Sequence, residues 1–321
     1  MQYVQTVLGD VLIEDVGFTL MHEHLVNSAA GIPENYPELY IEGYYEIALN
    51  SLIEMKDNGI NTVVEATTYD LGRDVKTLAR LSQESGVNII ACTGRLMRLP
   101  GIVGHYTPEQ FAQSFIKDLT KGIADTGIKA GILKAGMDME GPTPDIEFMH
   151  RAVAIASNET QFPIMLHSYP LWEIGRHQLR IMKEENVNLE RIKVDHCLET
   201  TDIDYIAWLV DQGCWLGIDR LPNIPLKGRY LVATGTRIKF IKKLIDAGFS
   251  DRMLFSHDIF PATTFFDNPM RTKEDRSKDN PDGFLFLKNV VFRKLSEMGI
   301  DENKLERICI ENPKRFFEGK N

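Results

Sequence analysis

Along nearly the whole chain, short runs of Val, Ile, Leu and Ala alternate with longer amphipathic stretches, and the alternation repeats eight times. The apolar runs fall at 17–22, 61–67, 87–93, 128–134, 163–167, 191–196, 214–219 and 252–257. The amphipathic ones fall at 43–58, 73–85, 108–125, 145–160, 173–186, 202–212, 235–248 and 284–298. Several of the latter open on a Ser, Thr or Asp suited to capping a helix N-terminus. The apolar runs are continuous instead of alternating with polar residues, which is the pattern of parallel strands covered by helices on both faces. Strand then helix, eight times, predicts a (β/α)₈ TIM barrel.

Residues Met1–Phe18 carry two short apolar runs around Gly9-Asp10, which predicts an N-terminal β-hairpin closing one mouth of the barrel. The last segment, Asp301–Phe317, reads as a helix broken at Asn312-Pro313 and followed by a short turn. No linker, further repeat or low-complexity tract interrupts the pattern, so residues 1–321 are expected to form a single domain, a size that closed barrels reach.

Polar residues cluster at the ends of five of the strand runs: His22 and His24, Lys134, His167, His196, and Asp258. Barrels of this kind place their active sites at the C-terminal ends of the strands, so these six side chains should converge. His22 and His24 are two apart on a strand and point to one face, while Glu23 points to the other. Imidazole and carboxylate donors suit Zn²⁺, and also Mn²⁺, Co²⁺ or Fe²⁺. Lys134 is the odd member, because an ammonium repels divalent cations. A neutral lysine that adds carbon dioxide becomes a carbamate, an anionic ligand able to bridge two metals. His257 must point away from Asp258 and is read as packing or as a support behind the ligands, His105, His150 and His177 as surface or structural, and Cys197 and Glu199 as loop residues.

Together these motifs, with Leu71-Gly72-Arg73-Asp74, Thr93-Gly94, Gly217-Ile218-Asp219-Arg220, Ser256-His257-Asp258 and Glu311-Asn312-Pro313, resemble the phosphotriesterase family of the amidohydrolase superfamily, particularly its phosphotriesterase-like lactonases. The resemblance implies one divalent metal held by His22, His24 and Asp258 and a second by His167 and His196. Carboxylated Lys134 and a hydroxide would bridge them, and Asp258 would handle the proton of the attacking water.

The loops set the substrate. Arg95 and Arg98 follow strand three, Arg220, Lys227 and Arg229 follow strand seven, and Arg271, Lys273 and Arg276 lie in the long loop after strand eight, amid Phe265 and Phe266. Arginine grips phosphate or carboxylate through two parallel hydrogen bonds, so Arg220, Arg98, Lys227, Arg229 and Arg271 are candidate substrate-binding residues for a small anionic, phosphorylated lactone. Asp267, Glu274, Asp275 and Asp279 offset part of that charge. Phosphotriester or general ester hydrolysis is the alternative with the same site. A Schiff-base lyase using Lys134, or a barrel that binds metal without turnover, are others.

Charge and composition narrow the partners. A formal net charge of −10 with no basic run argues against nucleic acid, and no apolar stretch approaches the roughly 20 residues of a membrane span. The N-terminus has no basic region followed by an apolar one, so a cytoplasmic location is expected. Cys92, Cys197, Cys214 and Cys309 show no paired spacing and read as buried small hydrophobes. The resemblance also admits a homodimer.

Overall fold

A computed structural model describes residues 2–36, 38, 43–96, 104–222, 232–263 and 280–319. Strands β1 (Tyr3–Thr6) and β2 (Gly9–Leu12) form an antiparallel hairpin. β3 (Thr19–Glu23) begins the main sheet and is followed by a short β4 (Val26–Asn27). The remaining main strands are β5 (Thr62–Glu65), β6 (Asn88–Arg95), β7 (Ile132–Gly136), β8 (Ile164–His167), β9 (Ile192–Val194), β10 (Trp215–Ile218) and β11 (Met253–Phe255). They lie in the order β3-β5-β6-β7-β8-β9-β10-β11, every pair parallel, so the TIM barrel predicted from the alternation is present. A last strand, β12 (Ala262–Thr263), pairs with β4.

Helices occupy the predicted intervals, at Tyr44–Asp57, Val75–Ser85, Pro108–Thr120, Pro144–Thr160, Gly175–Glu184, Ile203–Asp211 and Thr234–Asp246. Side chains of Asp74, Thr107, Thr143 and Asp202 accept the orphan N–H groups of their first turns, and Thr107 with Gln110 completes a reciprocal capping box. The eighth interval is less regular, a π-helical segment Leu287–Phe292 running into Arg293–Glu297. No helix among the described residues is long and apolar enough to cross a membrane.

Two period-2 faces separate the core into layers. Leu20, Val63, Ile89, Leu133, Leu166, Val194, Leu216 and Phe255 face outward and pack under the helices. Met21, Val64, Ile90, Ile132, Met165, Trp215 and Leu254 face inward. Val4, Ile13 and Val16 from the N-terminus and Phe316 and Phe317 from the C-terminal helix join that inner cluster, so the hairpin closes the lower mouth as expected.

Two of the departures from the boundaries read in the sequence have a visible cause. The fourth barrel strand begins at Ile132, because 128–131 lies against the hairpin instead: Gln5 Nε2 donates to Leu119 O and Ala130 O, both at 2.9 Å. The C-terminal helix is unbroken over Glu302–Glu318 with Pro313 inside it. An internal proline costs about 3 kcal/mol. Two features offset that cost here: Phe316 and Phe317 are buried beyond it, and Asn312 Nδ2 donates to Ser250 O and Met253 O, both at 2.8 Å, clamping the helix to the foot of β11.

His150 is wholly buried on its helix. Its Nδ1–H donates to Ile146 O at 2.7 Å, and its Nε2 accepts from Gln178, whose Nε2 also donates to His167 O. The expected surface-or-structural role is structural, since the pair fixes the end of β8.

Asn312→Ala is expected to destabilise the metal-free protein by about 2 kcal/mol in urea unfolding, because two buried carbonyls lose their donor. Burial pushes the His150 pKa down to about 4 from its ordinary 6.5. The unfolded chain therefore binds the extra proton between those values, and stability from this group is full above pH 6.5 and lost as pH falls toward 4. His150→Gln is expected to flatten that limb of the stability–pH profile by about 3 kcal/mol.

Candidate functional site

The inward face that is apolar at the bottom becomes polar at the top. Continuing the period of two brings Lys134 above Ile132 on β7, His167 above Met165 on β8, and Ser256 and Asp258 above Leu254 beyond β11. The same rule puts Lys193 on β9 and Asp195 just past its end, and Gly217 on β10 and Asp219 just past its end, inside the barrel. His22 follows the inward Met21 directly, and a register shift between Leu20 and Glu23 allows both to face in.

His196 and Arg220 are also out of phase with their inward neighbours. Both sit in left-handed backbone, at φ 64° and 59°, and Asp258 does so at 55°. Each costs about 1–2 kcal/mol for a residue with a side chain. At His196 that turn swings the imidazole back over the barrel, where its Nε2 lies 2.8 Å from His167 Nδ1.

All six residues expected to gather do so. Lys134 Nζ is 3.4 Å from His22 Nε2 and donates to Ala66 O at 2.8 Å. Asp258 Oδ1 lies 3.4 Å from both His22 Nε2 and His24 Nε2, and its Oδ2 lies 3.8 Å from His196 Nδ1. Phe260 stacks on the His24 ring with centroids 4.5 Å apart. The group His22, His196, Asp258 and the group His22, Asp195, Asp219 each present ligand atoms within 4.8 Å of one another.

Each imidazole turns its other nitrogen to an oxygen. His24 Nδ1 meets Thr67 Oγ1 at 2.8 Å, His167 Nε2 meets Asp138 Oδ2 at 3.0 Å, His196 Nδ1 meets Asp219 Oδ1 at 2.7 Å, and His22 Nδ1 lies 3.0 Å from Asp195 Oδ2. Burial holds His22 and His196 below their ordinary pKa and pushes His24 down to about 3, with Lys134 adding to each. The imidazoles of His22, His24 and His196 are therefore neutral near pH 7 and carry lone pairs fit for a metal. Asp258 stays well below the usual carboxylate range: burial opposes ionisation, but His22, His24 and Arg220 outweigh it. Asp219 is pushed the other way, by burial and then by Asp195 and Asp258.

Arg220 does not reach over the mouth as a free anion binder. Its Nε lies 3.0 Å from Asp258 Oδ2 and its Nη1 contacts Glu199, so both carboxylates draw it inward. Glu199 is accordingly a buried ion-pair partner instead of a plain loop residue. Arg98, Lys227, Arg229 and Arg271, with Lys273, Arg276, Phe265 and Phe266, lie outside the described residues.

The sequence reading passed over Thr67, Asp138 and Asp195, the oxygens that face three of the four rings. For Asp195 the signal was present, since a lysine and an aspartate two apart in an otherwise apolar strand share its inner face. His257 does not join the cluster. Its Nε2 accepts from Leu287 N–H at 3.0 Å and its Nδ1–H donates to Glu23 Oε1 at 2.8 Å, a packing role as expected.

Comparison with known proteins places the whole chain in a family. The model of the phosphotriesterase family matches residues 2–317. A phosphotriesterase homology protein from Mycobacterium tuberculosis is 33% identical over 330 residues, covering 99% of this chain and 98% of that protein. An aryldialkylphosphatase from Saccharolobus solfataricus is 32% identical, covering 95% and 96%, and an N-acetyltaurine hydrolase from Xenopus tropicalis is 25% identical, covering 98% and 97%. The solved structure of the phosphotriesterase from Mycobacterium tuberculosis superposes with a TM-score of 0.88 at 33% identity, covering 98% of each chain. With the barrel, the converging histidines and this match in hand, the chain belongs to the phosphotriesterase family and is a metal-dependent hydrolase.

Proposed function

We propose that His22, His24 and Asp258 hold one divalent cation and His167 and His196 a second, that Lys134 bridges them as a carbamate, and that the site opens a small anionic lactone. The observation that carries the metal assignment is the gathering of four imidazoles and the Asp258 carboxylate at one end of the barrel, with the buried Lys134 amine 3.4 Å from His22 Nε2. The donor set suits Zn²⁺, with Mn²⁺, Co²⁺ or Fe²⁺ able to take the same ligands. Lys134 fits as a ligand only once its positive charge is gone, and carboxylation removes that charge while adding two oxygens.

When bound, the cations supply Lewis acidity, polarising the scissile carbonyl and activating water. The chain's own groups do the rest. Asp258 lies between His22, His24 and Arg220, and takes the proton shed by the attacking water. Arg220 and Glu199 keep that carboxylate fixed and ionised. Phe260 walls the His24 side and excludes solvent there.

For the substrate, the support is the position of Arg98, Lys227, Arg229 and Arg271 in the sequence, after the third, seventh and eighth strands. Arg220 contributes less to that reading, being spent on Asp258 and Glu199. A second reading, phosphotriester hydrolysis, is favoured by the aryldialkylphosphatase relative, since the same activated water can attack phosphorus.

Rates on phosphorylated sugar lactones, neutral lactones, aryl dialkyl phosphates and N-acetyltaurine separate these choices. The highest kcat/KM is expected for the phosphorylated lactones, and a 100-fold preference for the neutral triester would replace that assignment. Lys134→Met is expected to bind fewer than two metal equivalents and to lose about 10³-fold in kcat, roughly 4 kcal/mol of transition-state stabilisation. Full turnover after exhaustive chelation, or trapping of an oxo substrate on Lys134 by borohydride, would sink the metal reading.

A further inference from the structure

Lys193 and Asp195 form an ion pair inside the barrel, both fully buried. Lys193 Nζ donates to Met21 O at 2.8 Å and lies 2.7 Å from Asp195 Oδ1. The other oxygen of the same carboxylate, Oδ2, lies 3.0 Å from His22 Nδ1. The backbone makes room for it: a Cβ on Gly217 would stand 2.7 Å from Asp195 Cα and 2.9 Å from Asp195 Oδ1, so the neighbouring strand accepts only glycine there.

We propose that Asp195, anchored by Lys193, is a positioning residue that fixes the ring and tautomer of His22 for metal binding. This rests on the assignment of His22 as a metal ligand. A buried ion pair is weak as a source of stability, because well-packed apolar residues of the same volume commonly do as well or better. Stability therefore gives no reason for Lys193 and Asp195 to be here, whereas orientation of a ligand does.

The ring has two nitrogens and one proton when neutral. A carboxylate facing Nδ1 places the proton there and leaves the Nε2 lone pair toward Asp258 and Lys134. Lys193 takes the carboxylate's other oxygen, so Asp195 cannot swing away. The same contact explains why the cluster His22, Asp195 and Asp219 is not a cation site of its own: the Lys193 ammonium already supplies its positive charge. Among the four imidazoles, Thr67 faces His24, Asp138 faces His167 and Asp219 faces His196. The oxygen facing His22 belongs to a carboxylate ion-paired with a buried lysine.

The test compares the parent with Asp195→Asn and with Lys193→Gln/Asp195→Asn, in which a neutral amide pair replaces the ions and leaves no stranded charge. An asparagine amide turned toward Nδ1 donates to it and moves the ring proton to Nε2. Metal bound per chain is measured by elemental analysis after dialysis against buffered free Zn²⁺, alongside the visible spectrum of the Co²⁺-substituted protein and the melting temperature of the metal-free form. Both variants are expected to need 10–100-fold more free metal for half-filling and to show an altered Co²⁺ spectrum. The metal-free double variant should melt close to the parent.

Parental metal affinity and spectrum in the double variant would overturn the proposal, as would a lowered metal-free melting temperature with affinity unchanged. A third metal equivalent in the parent that disappears in Asp195→Asn would overturn it too, assigning Asp195 to cation binding. A parent that binds no divalent metal would instead sink the metal assignment beneath it.

Discussion

The barrel closes at the seam between β3 and β11, and one carboxylate bridges it. Glu23 Oε1 accepts from Ser256 Oγ–H and His257 N–H at 2.7 Å and from His257 Nδ1–H at 2.8 Å, while its Oε2 accepts from Ile259 N–H at 3.3 Å. Ser256 Oγ in turn accepts His22 N–H at 2.7 Å, and Asp258 N–H donates to His22 O at 3.0 Å. Removing the Glu23 acceptor would strand four donors, at about 1–3 kcal/mol for each one left buried and unpaired. This web holds His22 and His24, at the end of β3, against Asp258, just beyond β11. Closure of the fold and assembly of the site are thus one event.

Around that seam, two conflicting demands are met on the same strands. A barrel interior must be filled, yet hydrolysis needs polar groups at its upper end. The inward face meets both by height, with Ile132 below Lys134 and Met165 below His167. The regular period of two does not deliver enough donors, and the chain departs from it where β3 shifts register and where His196, Arg220 and Asp258 adopt left-handed backbone. That strain is sited at the chemistry, where neighbouring contacts hold it.

The fold was legible because parallel strands and their covering helices imprint different periods on the sequence. The six clustered residues were legible because each stands beside a strand whose apolar stem announces the barrel rim. Lys193 and Asp195 were harder, since a buried ion pair looks like an ordinary interruption until the strand's inner face is known. Arg220 was misjudged for a related reason: its place after a strand gives the height of its Cα, but the pull of Asp258 and Glu199 decides where its guanidinium goes. Pro313 gave the opposite error, because a local helix-breaking rule could not register the two hydrogen bonds of Asn312 or the burial of Phe316 and Phe317.

Val4, Ile13, Val16, Phe316 and Phe317 fill the end of the barrel opposite the histidines. Among the described residues, that end offers no way through, so whatever reaches the cluster comes and leaves from the other side. Among the described residues, product and incoming reactant share the mouth at the histidine end, so the tempo of catalysis is open to control by departure as well as by bond breaking.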